Sequence, residues 1–144
     1  MTSTESKPLK QRVLDEMRYA AEDMLDKCFE RSREIVRIRE NGRIFVLSKD
    51  LLDGQRTLLS YLLGKRYAYA ADLSETYKAS VEELAEETGL NRNSIPVWLG
   101  ELKDKGLVEG DRGDGRRVYH YLKESRIEDA LKMIQEKLTG GQHE

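Results

Sequence analysis

The sequence predicts a mainly helical fold with a small β component, an α+β class, on three observations. Four segments carry apolar residues at three- and four-residue steps, the repeat of one face of a helix. Two short runs rich in Ile, Val and Tyr surround turns containing Asn-Gly or several glycines, as antiparallel ribbons do. Helix-start and helix-stop residues punctuate the chain, with Asp53 and Ser80 before apolar stretches and Gly89 and Gly106 after them.

Composition limits what this fold can do. The 144 residues suffice for one domain with an extension, and hydrophobic (38%) and charged (36%) residues are nearly equal. A net charge of −2 gives no global pull on nucleic acid, so any such contact requires a local basic patch. A single cysteine, Cys28, excludes an intrachain disulfide and argues against a secreted protein. The opening MTSTESKPLK is polar and lacks the apolar core of a secretory signal. The longest nearly apolar run, Leu58 to Gly64, is far short of the ~20 residues that span a bilayer. These features predict a cytoplasmic protein without a membrane partner.

The elements follow in order. A long first helix is expected from about Leu9 to Arg33, with a stripe of Leu14, Met17, Ala21, Met24 and Cys28 widened by Val13, Leu25 and Phe29. IVRIRENGRIFVLS then reads as a β-hairpin with a type I′ turn at Asn41-Gly42, both residues tolerating positive φ. Together these form an extension over residues 1–49. A second helix starts at Asp53 and runs to about Tyr69, burying Leu58, Leu59, Leu62 and Leu63. Lys65-Arg66-Tyr67 at its end suits the C-terminal dipole. After an aperiodic loop, Ser80 and Glu83 form a capping box for the helix SVEELAEET, which Gly89 stops. Asn91 is the expected cap of the next helix, running to about Lys105, with Ile95, Trp98 or Leu99, and Leu102 inward. Leu107–Glu109 and Arg117–Leu122 are the expected strands around DRGDG. Ser125 would cap a last helix with Ile127, Ala130 or Leu131, Ile134 and Leu138 on one face.

Helix, helix, turn, helix and two-stranded ribbon is the winged helix-turn-helix order. VEELAEETGLNRNSIPVWLGELKDKGLVEGDRGDGRRVYHYL resembles the core of winged-helix transcription regulators, and GRRVYHYL is similar to the wings of ArsR- and MarR-like members. The resemblance covers about residues 53–122, within an expected domain over 50–122. Residues 123–144 form a C-terminal helix. The cysteine motifs of metal-sensing ArsR members are missing, so no metal site is carried over. The resemblance implies a DNA-binding transcriptional regulator, with the third helix of that domain in the major groove and the wing on phosphate or in the minor groove.

If Ile95, Leu99 and Leu102 face inward, Arg92, Asn93, Pro96, Val97 and Gly100 face outward near the helix start, the part that meets base edges. Arg pairs with guanine and Asn with adenine, and Val97 would touch a thymine methyl. Arg112, Arg116 and Arg117 on the wing would grip phosphate, although charged hairpin tips also serve solubility alone, and Asp111 and Asp114 are possible partners for them. From Ser80 to Leu122 there are six Lys/Arg against nine Asp/Glu, the acids concentrating on SVEELAEET. The same Pro-Val-Gly surface suits a protein partner, which is the second reading, and RNA is a third. Arg31, Arg33, Arg37, Arg39 and Arg43 around the first hairpin read first as the wet face of a ribbon, with a second phosphate-contacting surface as the alternative. The apolar stripes of the first and last helices also suggest a homodimer. His120 and His143 form no triad or metal cluster by spacing, no phosphate loop is present, and no enzyme activity or cofactor is expected.

Overall fold

A computed structural model describes residues 7–17, 21–113, 115, 117–140. The helices are α1 (Leu9–Glu16), α2 (Ala21–Lys27), α3 (Phe29–Ser32), α4 (Gly54–Ala70), α5 (Val81–Thr88), α6 (Ile95–Asp104) and α7 (Ile127–Gly140). Two antiparallel hairpins, β1 (Val36–Ile38) with β2 (Ile44–Val46) and β3 (Val108–Arg112) with β4 (Val118–Leu122), complete an α+β fold. No helix among the described residues is long and apolar enough to cross a membrane.

The centre is α4. Asp53 caps it, its carboxylate accepting from the Arg56 amide at 2.9 Å. The expected leucines are buried, but so is almost every other residue from Thr57 to Ala68, Lys65 and Arg66 included. The first hairpin, α5, α6, α7 and β4 all pack around it. Lys65 and Arg66 therefore do more than complement a helix dipole. The Lys65 ammonium lies 3.0 Å from Glu83 on α5, and the same carboxylate accepts from the Tyr61 hydroxyl at 2.7 Å. Arg66 donates to the Leu122 carbonyl of β4 at 3.0 Å and stacks over the Tyr77 ring at 3.9 Å. Tyr67 donates to the Leu25 carbonyl at 2.6 Å.

The expected single helix over residues 9–33 is instead divided. α1 ends at Glu16 with Met17 as its C-cap, and a turn at Cys28 separates α2 from α3. Only the later part of the stripe is covered: Leu25 and Cys28 are buried against α4 while Leu9, Val13, Leu14 and Met17 stay exposed. Periodicity marks a face that could be buried, and among the described residues nothing covers the apolar face of α1. The last helix behaves differently. Ile127, Ala130, Leu131 and Ile134 are fully buried against the chain's own core, so this stripe is consumed internally. Ser125 is not its cap, because a 3-10 turn over Glu124–Arg126 leads straight into Ile127.

The first hairpin forms where expected, but with a different turn. Arg39 donates to the Arg43 carbonyl at 2.8 Å, closing a three-residue loop, and only Gly42 within it has positive φ, +88°. Val36 and Ile44 point inward, while Arg37 and Phe45 face solvent. Gly64 makes the docking possible, since a Cβ there would lie 2.5 Å from Ile44 Cγ2. In the second hairpin, β3 is longer than expected, and Ala79 bridges to His120 of β4 through hydrogen bonds of 2.8 and 2.7 Å.

Two stability predictions follow from α4. Gly64→Ala raises helix propensity by about 1 kcal/mol, yet the clash with Ile44 should leave a net loss of about 1–2 kcal/mol in urea unfolding. Glu83→Ala strands the buried Lys65 ammonium and the Tyr61 hydroxyl together. It should cost about 2–3 kcal/mol in the same assay, beyond a solvent-facing control such as Glu86→Ala.

Candidate nucleic-acid interface

Local sequence builds this site in three steps. Ser80 caps α5 by accepting from the Glu83 amide at 3.1 Å. Glu83 turns to Tyr61 and Lys65, so among the described residues only the serine half of the expected capping box is made. Gly89 ends α5 at φ +77°, the left-handed position glycine fills without a Cβ clash.

Asn91 is not the cap of α6. Its side chain accepts from the Asn93 amide at 2.8 Å, forming an Asx turn, and its carbonyl accepts from Ser94 and Ile95. The helix begins at Ile95, after Ser94. Pro96 is thus its second residue, where a helix has no use for an amide donor, and the proline fits at no cost in hydrogen bonds. Ile95, Leu99 and Leu102 are buried as their spacing requires. Trp98 packs over Gly54, where a Cβ would lie 2.6 Å from the indole.

The outward residues of this segment are those the sequence indicated. Arg92, Asn93, Pro96 and Gly100 are exposed, Val97 is 61% exposed, and a Cβ at Gly100 would meet nothing within 4 Å. Between the start of α6 and the second hairpin lies a groove of about 550 Å³, lined by Val81, Glu82, Arg92, Pro96, Arg117, Val118 and His120. The fold thus brings Arg92 and Arg117 to one groove. Arg112 sits at the end of β3, exposed and outside this lining, and Asn93 and Val97 lie on the solvent side of the helix start. Arg116 and Asp114 lie outside the described residues.

Two groups that the sequence did not place here, Glu82 and His120, line the groove. Glu82 forms an ion pair with Arg92. Its carboxyl sits below the ordinary range, through a backbone hydrogen bond first, then Arg92, with Arg117 adding to the effect. Outside this lining, Asp111 pairs with Lys78 at 2.5 Å, and that carboxylate raises the Lys78 pKa. Neither Arg112 nor Arg117 has an ion-pair partner among the described residues. His120 lines the groove and is 6% exposed; its Nδ1 has no hydrogen-bond partner among the described residues. Burial, with the Lys103 charge adding to it, pushes His120 down to about 4, so the imidazole is neutral at pH 7. No group of three or more His, Cys, Asp or Glu among the described residues could hold a metal ion.

Compared with protein-family models and with curated protein sequences, the chain finds no match.

His120 generates a pH prediction. Its folded pKa lies below the unfolded value, so its contribution to stability is complete above about pH 6.5 and is lost as pH falls toward 4. Urea unfolding should show stability falling by about 2 kcal/mol between pH 7 and pH 5, before most carboxylates titrate. His120→Gln should flatten that interval; an unchanged slope would place the titrating group elsewhere.

Proposed function

We propose that the protein is a DNA-binding regulator whose residues 50–122 adopt a winged helix-turn-helix arrangement, with α6 in the major groove and the β3–β4 hairpin as the wing. The observation that carries this reading is the convergence of Arg92 and Arg117 on one groove beside the exposed start of α6. Arg92 and Asn93 would read base edges, Arg offering its fork to guanine O6 and N7 and Asn its amide to adenine. Val97 would meet a thymine methyl, and bare Gly100 would allow close backbone approach. Arg112 and Arg117, without ion-pair partners among the described residues, would contact phosphate. Glu82 holds the Arg92 guanidinium at the groove, and an exposed pair of this kind is worth little, so a nucleotide can replace it. The chain needs no cofactor or catalytic group for this role, and the reading places it in the cytoplasm.

A protein-interaction role is the second reading, favoured by one observation. Val97, Pro96 and Gly100 form an exposed uncharged strip on α6, and Arg92 beside it is already neutralised by Glu82. A homodimer, if it forms, would use α1, whose apolar side chains are exposed, and not α7, whose stripe is buried in the core.

Fluorescence anisotropy with random duplex DNA across a salt series separates the readings. On the DNA reading, log affinity falls with log salt at about −0.9 per phosphate contacted. Arg117→Ala should weaken binding to all sequences and reduce that slope by ~1, while Arg92→Ala should relax preference at one base position. On the protein reading, Val97→Glu abolishes partner binding and Arg117→Ala leaves it intact. Absence of DNA binding at about 50 mM salt and tens of micromolar protein, below ordinary non-specific affinity, would overturn the DNA reading.

A further inference from the structure

A second concave site lies in the N-terminal part of the chain, built from elements the DNA reading does not use. Phe29, Ser32 and Arg33 of the α3 segment, Val36, Arg37 and Ile38 of the β1 segment, and Tyr67 of α4 enclose about 300 Å³. That is the lower end of the range for small-molecule sites. The packing behind it is fixed. Phe29 meets the Tyr67 ring edge-on at 6.3 Å, and the Tyr67 hydroxyl is bonded to the Leu25 carbonyl and to the buried Ser32 hydroxyl. The polar groups at the back are thereby satisfied internally, and the surface offered to a ligand is predominantly hydrocarbon and aromatic ring.

The charge at this site is one-sided. Two of the seven lining residues are arginines and none is acidic. Arg37 is exposed and has no ion-pair partner among the described residues. Among the described residues Arg33 pairs only with Glu30, at 3.3 Å, and both side chains are at least half exposed. Such a pair contributes little, so Arg33 can turn to another anion. Neighbouring arginines are otherwise engaged: Arg31 pairs with Glu128 and Arg39 stacks over Phe45. An apolar hollow with two available guanidinium groups selects one chemistry, a slim apolar body ending in a carboxylate, because Arg binds carboxylates through two parallel hydrogen bonds.

We infer that the hollow between α3 and β1 binds a small apolar carboxylate, its hydrocarbon against Phe29, Val36, Ile38 and Tyr67 and its anion on Arg37 and Arg33. This inference is independent of the DNA reading, since none of these residues lies on α6 or on the second hairpin. Val36 and Ile38 form the strand that packs on α4, so a ligand here would brace the first hairpin against the central helix.

The test uses anilinonaphthalene sulfonate, an aromatic anion whose fluorescence rises in apolar sites, on the full chain. Octanoate, octanol and octyltrimethylammonium are then titrated as competitors, with sedimentation run at the same concentrations. Octanoate should displace the probe at concentrations about tenfold below octanol, the scale of one charge-assisted hydrogen bond, and the cation should be the weakest competitor. Arg37→Glu changes an exposed side chain, so its thermal unfolding should match wild type while the octanoate preference disappears. Arg33→Glu provides an independent second variant with the same expected result. Absence of probe binding, equal competition by all three octyl compounds, or an octanoate preference that survives both variants would overturn the inference. So would probe binding that fades as the chain self-associates, since a second copy would then cover the hollow.

Discussion

The fold depends on burying most of α4 while it carries Lys65, Arg56, Arg66, Tyr61 and Tyr67 inside the packed stretch. A buried polar group without a partner costs about 1–3 kcal/mol, more if charged, so each of these must find a bond in a particular direction. The bonds are shared among different neighbours. Tyr61 and Lys65 meet Glu83 of α5, Arg66 meets the Leu122 carbonyl of β4, and Tyr67 meets the Leu25 carbonyl of α2. At the other end Arg56 donates to the Met133 carbonyl of α7 at 2.6 Å. Apolar burial alone is non-directional and would let these layers slide over the helix. The polar contacts set their positions along it and around it.

This arrangement also explains how the groove is held. Glu83, on the inner side of α5, is fastened to α4, and Glu82, its neighbour in sequence, emerges on the outer side beside Arg92. β4 is fixed twice, by Arg66 at Leu122 and by the Ala79 bridge at His120. Both walls of the groove therefore trace back to α4 through short chains of contacts. The first hairpin is referred to the same helix through Ile44 on Gly64. The groove and the hollow between α3 and β1 share this one rigid reference and no lining residue.

What was legible in the sequence follows from this hierarchy. The inward set Ile95, Leu99 and Leu102 and the outward set Arg92, Asn93, Val97 and Gly100 were readable because α6 is one-sided, so period alone decides its faces. The glycine stops at 89 and 106 were readable because positive φ leaves little choice of residue. α4 was only half readable: a helix buried on all sides has no stripe, and Lys65 and Arg66 look like surface residues until the packing of α5 and β4 against them is known. Asn91 was misassigned because the same short side chain serves an N-cap or an Asx turn, and here the Asx turn won. The division of the first helix was invisible, since an apolar stripe records the capacity for burial and not the presence of a partner. The Glu82–Arg92 pair spans ten residues and a reversal of the chain, so no local spacing announces it.

The charge on the groove bears on both readings of α6. Glu82 is ionised, His120 is neutral, and Arg92 and Arg117 are cationic, which leaves the lining one net positive charge at neutral pH. On a chain of net charge −2, that is a weak field for gathering a polyanion non-specifically. On the DNA reading, discrimination would then rest on close contacts at Arg92 and Asn93, with Arg112 and Arg117 adding the phosphate attraction that the groove alone lacks. Glu82 would repel phosphate whatever the base sequence, lowering non-specific affinity more than specific affinity, because only a matched base offers Arg92 two good hydrogen bonds in exchange for its carboxylate. On the protein reading, the same near-neutral lining beside exposed Val97 is an ordinary interface composition: a small apolar centre with a charged rim. The two readings thus differ less in geometry than in what replaces Glu82 at the Arg92 guanidinium.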